Sequence, residues 1–265
     1  MNPYSTLAAL AAGAMLLSGC GDRATGWGDK GPLVSERREV ASFDSIQMDG
    51  AAKLEITVGE PASVQVNGHE KAVRRMQTEV RDNTLYIKGR SRDWVIRDNK
   101  SRLTVQITLP RLESLELEGG NDVRLAGLRG GHTRIRAAGA ANINGDGELD
   151  ELTVRMTGAG HADLARLAAV DATVTVDGVG SVIVNARGSL DATMNGVGAI
   201  FYTGSPSKVN ARMNGLGTIA QHKSRGDSNA EPEKPEPVDP DSLQLEREDP
   251  KTESVSRKYG QTVII

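Results

Sequence analysis

Aromatic side chains are nearly missing from this chain: two Phe, four Tyr and two Trp account for 3% of its 265 residues. A thick globular enzyme core is hard to fill without them, so the composition favours a narrow structure packed with Leu, Val, Met and Ala. Cysteine occurs once, as Cys20, which excludes an internal disulfide. The four histidines, His69, His132, His161 and His222, lie in separate segments without metal-ligand spacing, so no zinc set and no cofactor are expected. The apolar run Leu7–Leu17 falls short of the roughly 20 residues that a bilayer-spanning helix needs. Net charge is −3, of which residues 227–249, with nine acids and two bases, contribute −7 and leave a diffuse +4 elsewhere. No aromatic-interleaved basic patch accompanies that surplus, and nucleic acid is not an expected partner. A nucleophile elbow is absent too, and the recurring Gly-Ala-Gly and Gly-Val-Gly lack the trailing helix that a phosphate loop requires.

What the chain has in quantity is glycine, 30 residues of it, and between Leu112 and Ala220 the glycines are periodic. Taking Gly119, Gly139, Gly160, Gly180, Gly198 and Gly217 as anchors, the steps are 20, 21, 20, 18 and 19 residues. A near-constant period of this length marks a stacked-repeat architecture. Within each unit polar and apolar residues alternate with period two, which excludes helical repeats. Four residues before the anchors stand Leu115, Ile135, Met156, Val176, Met194 and Met213, and two before them Leu117, Ala137, Gly158, Gly178, Gly196 and Gly215. The columns between are polar throughout: Ser114, Arg134, Arg155, Thr175, Thr193 and Arg212, then Glu116, Arg136, Thr157, Asp177, Asn195 and Asn214. Successive strand side chains point to opposite faces. The expected fold is therefore all-β, a single coil of about 20 residues per turn. Ile135, Met156 and Val176 are predicted to sit over one another inside, with the methionines as flexible core filler.

Around the repeat the chain divides by composition. Residues 1–20 end in Leu17-Ser18-Gly19-Cys20, which resembles the lipobox of bacterial lipoproteins. That resemblance implies cleavage before Cys20, a lipid on its thiol, membrane attachment through that lipid and, with Gly21 following, placement at the outer membrane. Residues 21–37 read as a flexible tether. Residues 38–222 form the domain, whose first half looks like less regular coils of the same sheet. Within it, Gly50 is a corner, Glu70 to Met76 a short helical turn, Asp82-Asn83 a tight turn and the charged stretch around Trp94 a loop. Residues 223–265 form an acidic, proline-rich tail predicted to be disordered, ending in apolar Thr262-Val263-Ile264-Ile265. The Arg225-Gly226-Asp227 tripeptide in it matches an integrin-binding sequence, which arises easily by accident in a Gly- and Asp-rich chain.

The series Phe43…Ile46…Gly50…Leu54-Glu55-Ile56, Asn83-Thr84-Leu85-Tyr86-Ile87, Val105-Gln106-Ile107-Thr108-Leu109-Pro110 and Leu115-Glu116-Leu117-Glu118-Gly119-Gly120-Asn121-Asp122-Val123 resembles the GIN domain, a family labelled as an autotransporter-adhesin head. The resemblance implies a right-handed parallel β-helix-like coil, often on lipid-anchored or secreted bacterial proteins. It brings no ligand and no catalytic residues.

The outward columns supply the candidate binding face: Thr157, Asp177, Asn195 and Asn214 as a hydrogen-bonding strip, beside Arg134, Arg155 and Arg212. Such a strip suits a polysaccharide or protein ligand, and equally the solvated face of any soluble coil. The first functional expectation is a non-catalytic, lipid-anchored envelope protein that presents this face for binding or adhesion. A polysaccharide-acting enzyme is the rival, with Asp122, Asp163 and Arg124 as its acid and base candidates. Asp122, Asn142 and Asp163, each three residues after an anchor, are predicted to stand in one row that could take Ca²⁺ or a sugar hydroxyl. A third reading is an envelope signalling or stress accessory that docks a membrane partner. An open coil end could pair with another copy, but no feature of the sequence sets an oligomeric state.

Overall fold

The computed structural model describes residues 31–59, 61–89 and 103–222. The lipobox with Cys20, most of the tether, the Trp94 loop, the Arg225-Gly226-Asp227 tripeptide and the tail 223–265 lie outside the described residues. Glycine lets the chain bend at the corners: strands run on through Gly50, Gly119 and Gly139, and end and resume on either side of Gly158, Gly178, Gly196 and Gly215. The result is a 13-stranded sheet wound into stacked parallel rungs. β7 (Ser114–Arg129), β8 (His132–Met156), β9 (Ala159–Val176) and β10 (Val179–Met194) form its body. Each pairs in parallel with the next. β11 (Val197–Thr203), β12 (Lys208–Met213) and β13 (Leu216–Gln221) complete it.

The alternation does what period two requires. Leu115, Ile135, Val154, Val174 and Ala192 are buried, as are Leu117, Ala137, Met156, Val176 and Met194. The residues between them face outward. On the strand after the corner, Val123, Ile143, Ala162, Val182 and Ile200 continue the core. They stack in register from rung to rung. The core is thus a thin column of aliphatic side chains, consistent with the aromatic-poor composition.

The register differs from the predicted one at a single step. Ile135 does not lie under Met156. The Thr157 N–H donates to the Ala137 carbonyl at 2.9 Å, and Ala140 pairs with Ala159. This puts Val154 over Ile135 and Met156 over Ala137, while Met156 does stack on Val176. The displacement is two residues, which is the side-chain period, so either register keeps apolar groups inside. The contacts between rungs show which of the two forms. Gly50, Gly119, Gly139, Gly158, Gly178, Gly196 and Gly215 form one column, in which a Cβ on each would run into the backbone carbonyl of the rung below. Gly139 has a φ of 113° and is followed in that column by Gly158, not Gly160. The spacing along the column is 20, 19, 20, 18 and 19 from Gly119 onward. Gly160, Gly180, Gly198 and Gly217 make a second column that begins on the rung of Gly158, three rungs after Gly50, over Ala141 and Asn121.

The first half departs further from the expectation of successive coils. β2 (Ser45–Val58) carries the Gly50 corner and pairs directly with β7, Gly50 opposite Gly119. Its other edge is taken by β5 (Thr84–Lys88) and β6 (Thr104–Leu109), both parallel to it. The chain therefore lays down β2, moves outward to build the end of the stack, and returns to continue upward from β2. At that end the pairing is antiparallel. β3 (Ser63–His69) joins β6, and β4 (Gln77–Arg81) joins β5. The β4–β5 turn has Asp82 and Asn83 at φ 48° and 58°, the left-handed pair that a two-residue hairpin needs. The helix α1 (Glu70–Arg75) packs Val73, fully buried, onto this end. Residues 33–37, expected in the tether, belong to β1 (Leu33–Arg38), which pairs antiparallel with β3. Its alternation, Leu33, Ser35 and Arg37 exposed against half-buried Val34, Glu36 and Arg38, is too polar to stand out in the sequence.

Two substitutions test this packing. Val176→Asp places an unpaired charge in the column and should prevent folding, since that costs several kcal/mol; circular dichroism should show no cooperative melt. Gly158→Ala should destabilise by about 1–3 kcal/mol through overpacking. Gly59→Ala, whose Cβ would meet only the Thr108 methyl at 3.7 Å, should shift melting far less.

Candidate binding face

Parallel stacking converts each outward position into a ladder at about 4.8 Å per rung. Immediately past the ends of β8, β9, β10 and β12, Thr157, Asp177, Asn195 and Asn214 stand in one such column. Asn195 Nδ2 donates to Asp177 Oδ1 at 2.6 Å, and Asn214 Nδ2 donates to Asn195 Oδ1 at 2.9 Å. The Arg155 guanidinium lies 2.7 Å from the Asp177 carboxylate, and the Thr157 hydroxyl donates to the Ala137 carbonyl at 3.3 Å. The structure thus brings together Arg155, Thr157, Asp177, Asn195 and Asn214 as a connected strip over four rungs.

Arg134 does not share the column of Arg155, and Arg212, which does, stands three rungs away with Thr175 and Thr193 between. Arg134 stands over Ser114 in the column further from the corner. Arg212 lies on the last rung over Thr193, reaching Asp191 at 3.5 Å. Arg155 has Arg136 beneath it instead, a consequence of the two-residue register shift. Below the strip the same column passes through Ala138 to Glu118. The missing side chain at Ala138 opens a shallow groove of about 360 Å³ between Glu116, Glu118, Arg136, Arg155 and Thr157. Its lining carries both signs of charge, and Arg136 reaches Glu116 at 3.5 Å. Sequence reasoning passed over Arg136, Glu116 and Glu118 because each looks like an ordinary solvated residue until Ala138 is seen between them.

The residues between the two glycine columns form a feature that the sequence reading treated only as corners. Ala140, Ala159, Val179, Val197 and Leu216 are in register. They point outward, with Val179 60%, Val197 49% and Leu216 73% exposed. This is an aliphatic ridge on consecutive rungs, bordering the Asp177–Asn195–Asn214 ladder. The signal was present in the sequence as Gly-Val-Gly and Gly-Leu-Gly, with the middle residue enlarging along the chain.

The predicted row Asp122, Asn142 and Asp163 does not form as drawn. Asn142 stands over Asp122 and donates to it at 3.3 Å, but the residue over Asn142 is His161. Asp163 sits over Asn144 and Arg124 in the neighbouring column, and its carboxylate accepts from the Ala165 N–H at 3.2 Å. Asp122 and Asp163 are two rungs apart on different columns, so the Asp122, Asp163 and Arg124 trio is not assembled. Among the described residues no group of His, Cys, Asp or Glu could hold a metal ion.

That neighbouring column continues across the capped end as a second polar lane. Gln65 donates to Ser35 at 2.6 Å, Asn67 to Gln106 at 3.1 Å and Gln106 to Glu55 at 3.0 Å. Lys53 lies 2.6 Å from Glu55. The hydrogen bonds from Lys53 and then Gln106, opposed by partial burial, hold the Glu55 carboxyl below its ordinary pKa.

Residues 42–206 match the family described as "Putative auto-transporter adhesin, head GIN domain", and the chain belongs to that family. Among solved structures, a putative adhesin from Bacteroides fragilis is 24% identical, with a TM-score of 0.57 over 72% of this chain and 97% of that one. A putative adhesin from Parabacteroides distasonis is 20% identical, with a TM-score of 0.44 over 72% and 98%. The first of these likenesses shows the fold. No curated protein matches the chain.

Two measurements follow from the face. Asn195→Ala removes two exposed hydrogen bonds and should cost at most about 1 kcal/mol, because exposed polar pairs contribute little; thermal melting checks it. Lys53→Met should raise the Glu55 pKa toward its ordinary value, read by NMR titration of the carboxyl carbon. Because the folded value is depressed, the stability Glu55 adds is present above its unfolded pKa and fades as pH falls through the folded one.

Proposed function

We propose that this chain is a non-catalytic, lipid-anchored protein of the bacterial cell envelope, held at the outer membrane through a lipid on Cys20. In this reading its coil binds an extended polysaccharide or protein through the Arg155–Asp177–Asn195–Asn214 ladder and the aliphatic ridge beside it. The observation that carries the reading is the ridge. Single exposed apolar side chains are ordinary on soluble proteins, whereas contiguous apolar surface rimmed by polar groups marks interaction sites. Here Val179, Val197 and Leu216 occupy consecutive rungs of one column, with hydrogen-bonding side chains repeating at the same interval alongside. Such a surface suits a ligand that is itself linear and repetitive. Membership of an adhesin-head family supports a binding role at the cell envelope, and the Leu17-Ser18-Gly19-Cys20 sequence supports the anchor.

The anchor is tested by fractionation: Cys20→Ser should move the protein from membranes to the soluble fraction, and unchanged partition would refute it. The face is tested by screening the purified protein on arrays of bacterial envelope glycans and purified envelope proteins. A ligand of this face should bind about tenfold or more weakly to the Val179→Ser/Val197→Ser/Leu216→Ser variant, the loss of roughly 1.4 kcal/mol of contact, at unchanged melting temperature. Equal binding by the variant would remove the ridge from the account.

A further inference from the structure

The two ends of the stack are finished differently. At one end α1 and the antiparallel strands β1, β3 and β4 close over the core, and Val73, Val64, Val66 and Leu85 are fully buried. At the other end β12 pairs with β10 on one side and has no strand partner on its other side among the described residues. Its inward row continues the core columns: Val209 stands over Leu190, Ala211 over Ala192 and Met213 over Met194. The residues beneath are at most 1% exposed, yet Val209 is 43% and Met213 42% exposed, and Ala211 is exposed as well. The row stops with apolar side chains rather than with the polar outer face that a terminal repeat requires for solubility.

The open edge is specific about which backbone groups it offers. Successive residues of a strand send their N–H and C=O groups to alternate sides. The Asn214 N–H donates to the Met194 carbonyl at 2.8 Å, so Asn210 and Arg212 also bond toward β10. The N–H and C=O groups of Val209, Ala211 and Met213 therefore face the open edge, a template for another strand. The residues that form the inward row are thus the same ones whose backbone lacks a partner strand among the described residues.

We propose that the occupant of this edge is the β12 strand of a second copy, added antiparallel about a two-fold axis through Ala211. Self-complementarity selects it. That axis sets Ala211 against its own counterpart and Val209 against Met213 of the second copy, and each of their N–H groups meets a carbonyl across the axis. Both apolar rows fall on the same side of the joined sheet, so each covers the end of the other's column. On the outward face Lys208 meets the position of Asn214, and Arg212 meets Asn210, so no like charges stand opposite one another. Asn210 donates to Asp191 at 2.8 Å, which places that carboxylate one rung below the second copy's Arg212. The capped end does not fit this edge. Its outer strand β1 carries Glu36 and Arg38, an ion pair at 2.9 Å, on its half-buried face, and these would lie against the apolar row. The contact is one strand long, below the size of a stable interface, and the pair is a weak one.

The axis is read by disulfide formation in the full-length chain carrying Cys20→Ser. Ala211→Cys places two Cα atoms about 5.5 Å apart across the axis, inside the range a disulfide accepts. Lys208→Cys puts the two counterparts about 20 Å apart along the strands. Under mild oxidation Ala211→Cys should form covalent dimer about tenfold or more faster than Lys208→Cys, because only the first pair is held together by the contact. Ala211→Pro removes an edge-facing N–H and leaves the ladder to β10 intact, since proline is tolerated on an edge strand. It should weaken self-association in sedimentation about tenfold or more at unchanged melting temperature. Equal oxidation of the two cysteine variants, or association unaffected by Ala211→Pro, would overturn the proposal. So would a chain that stays monomeric up to about 1 mM.

Discussion

The structure depends on how closely one turn of backbone can lie on the next at a single corner. In the column from Gly50 to Gly215 the carbonyl of each rung sits where the Cβ of the rung above would be. Only hydrogen fits there. That condition restricts the phase of each turn to those that set a glycine over the corner below, and every outward and inward column follows from the phase adopted. Alternation by itself cannot do this, because a slip of two residues restores the same pattern of faces. The glycines therefore act as the register marks of the coil as well as its bends.

A coil built in this way has a core one side chain deep on each wall, which is why it can be filled by Leu, Val, Ile, Ala and Met and has little use for aromatic rings. Its surface is correspondingly large and regular. Identical backbone positions recur at strand spacing, so any residue kept from rung to rung becomes a line, and any residue that is lost leaves a gap in that line. Both outcomes occur on one face. Asp177, Asn195 and Asn214 make a hydrogen-bonded line, and Ala138 makes a gap that becomes a groove. The ridge of Val179, Val197 and Leu216 exists because flanking glycines have no side chains to cover it. Surface pattern and backbone geometry are consequently set by the same repeat.

The inside and outside faces, the Gly50 corner, the short helix and the Asp82-Asn83 turn were legible in the sequence because each rests on local chemistry with a fixed period or a fixed φ. What was not legible is instructive. Gly158 and Gly160 are both glycine, so the sequence offered two continuations of Gly139, and the choice rests on contact between rungs. The same ambiguity moved Asp163 out of the row of Asp122 and separated Arg134 from Arg155. The position of β2 between β5–β6 and β7 could not be read either, because nothing in a strand's own residues records that the chain doubles back. β1 was hidden by polarity, its side chains being mostly exposed on an outer strand. The ridge was visible as letters but was read as part of the corners, since exposure of the middle residue follows only from stacking.

The central claim, that the close-packed column runs from Gly139 to Gly158 rather than to Gly160, is tested most directly by paired cysteines in a Cys20→Ser background. The Ala138→Cys/Thr157→Cys pair occupies neighbouring positions on adjacent rungs, with Cα atoms at about 4.8 Å, inside the range a disulfide accepts. The Arg136→Cys/Thr157→Cys pair is offset by two residues and lies at about 8 Å by the same spacings, beyond that range. Mild oxidation should close the first pair and leave the second as free thiols, read by mass spectrometry. Closure of the second pair in preference to the first would mean that Gly160, not Gly158, lies over Gly139.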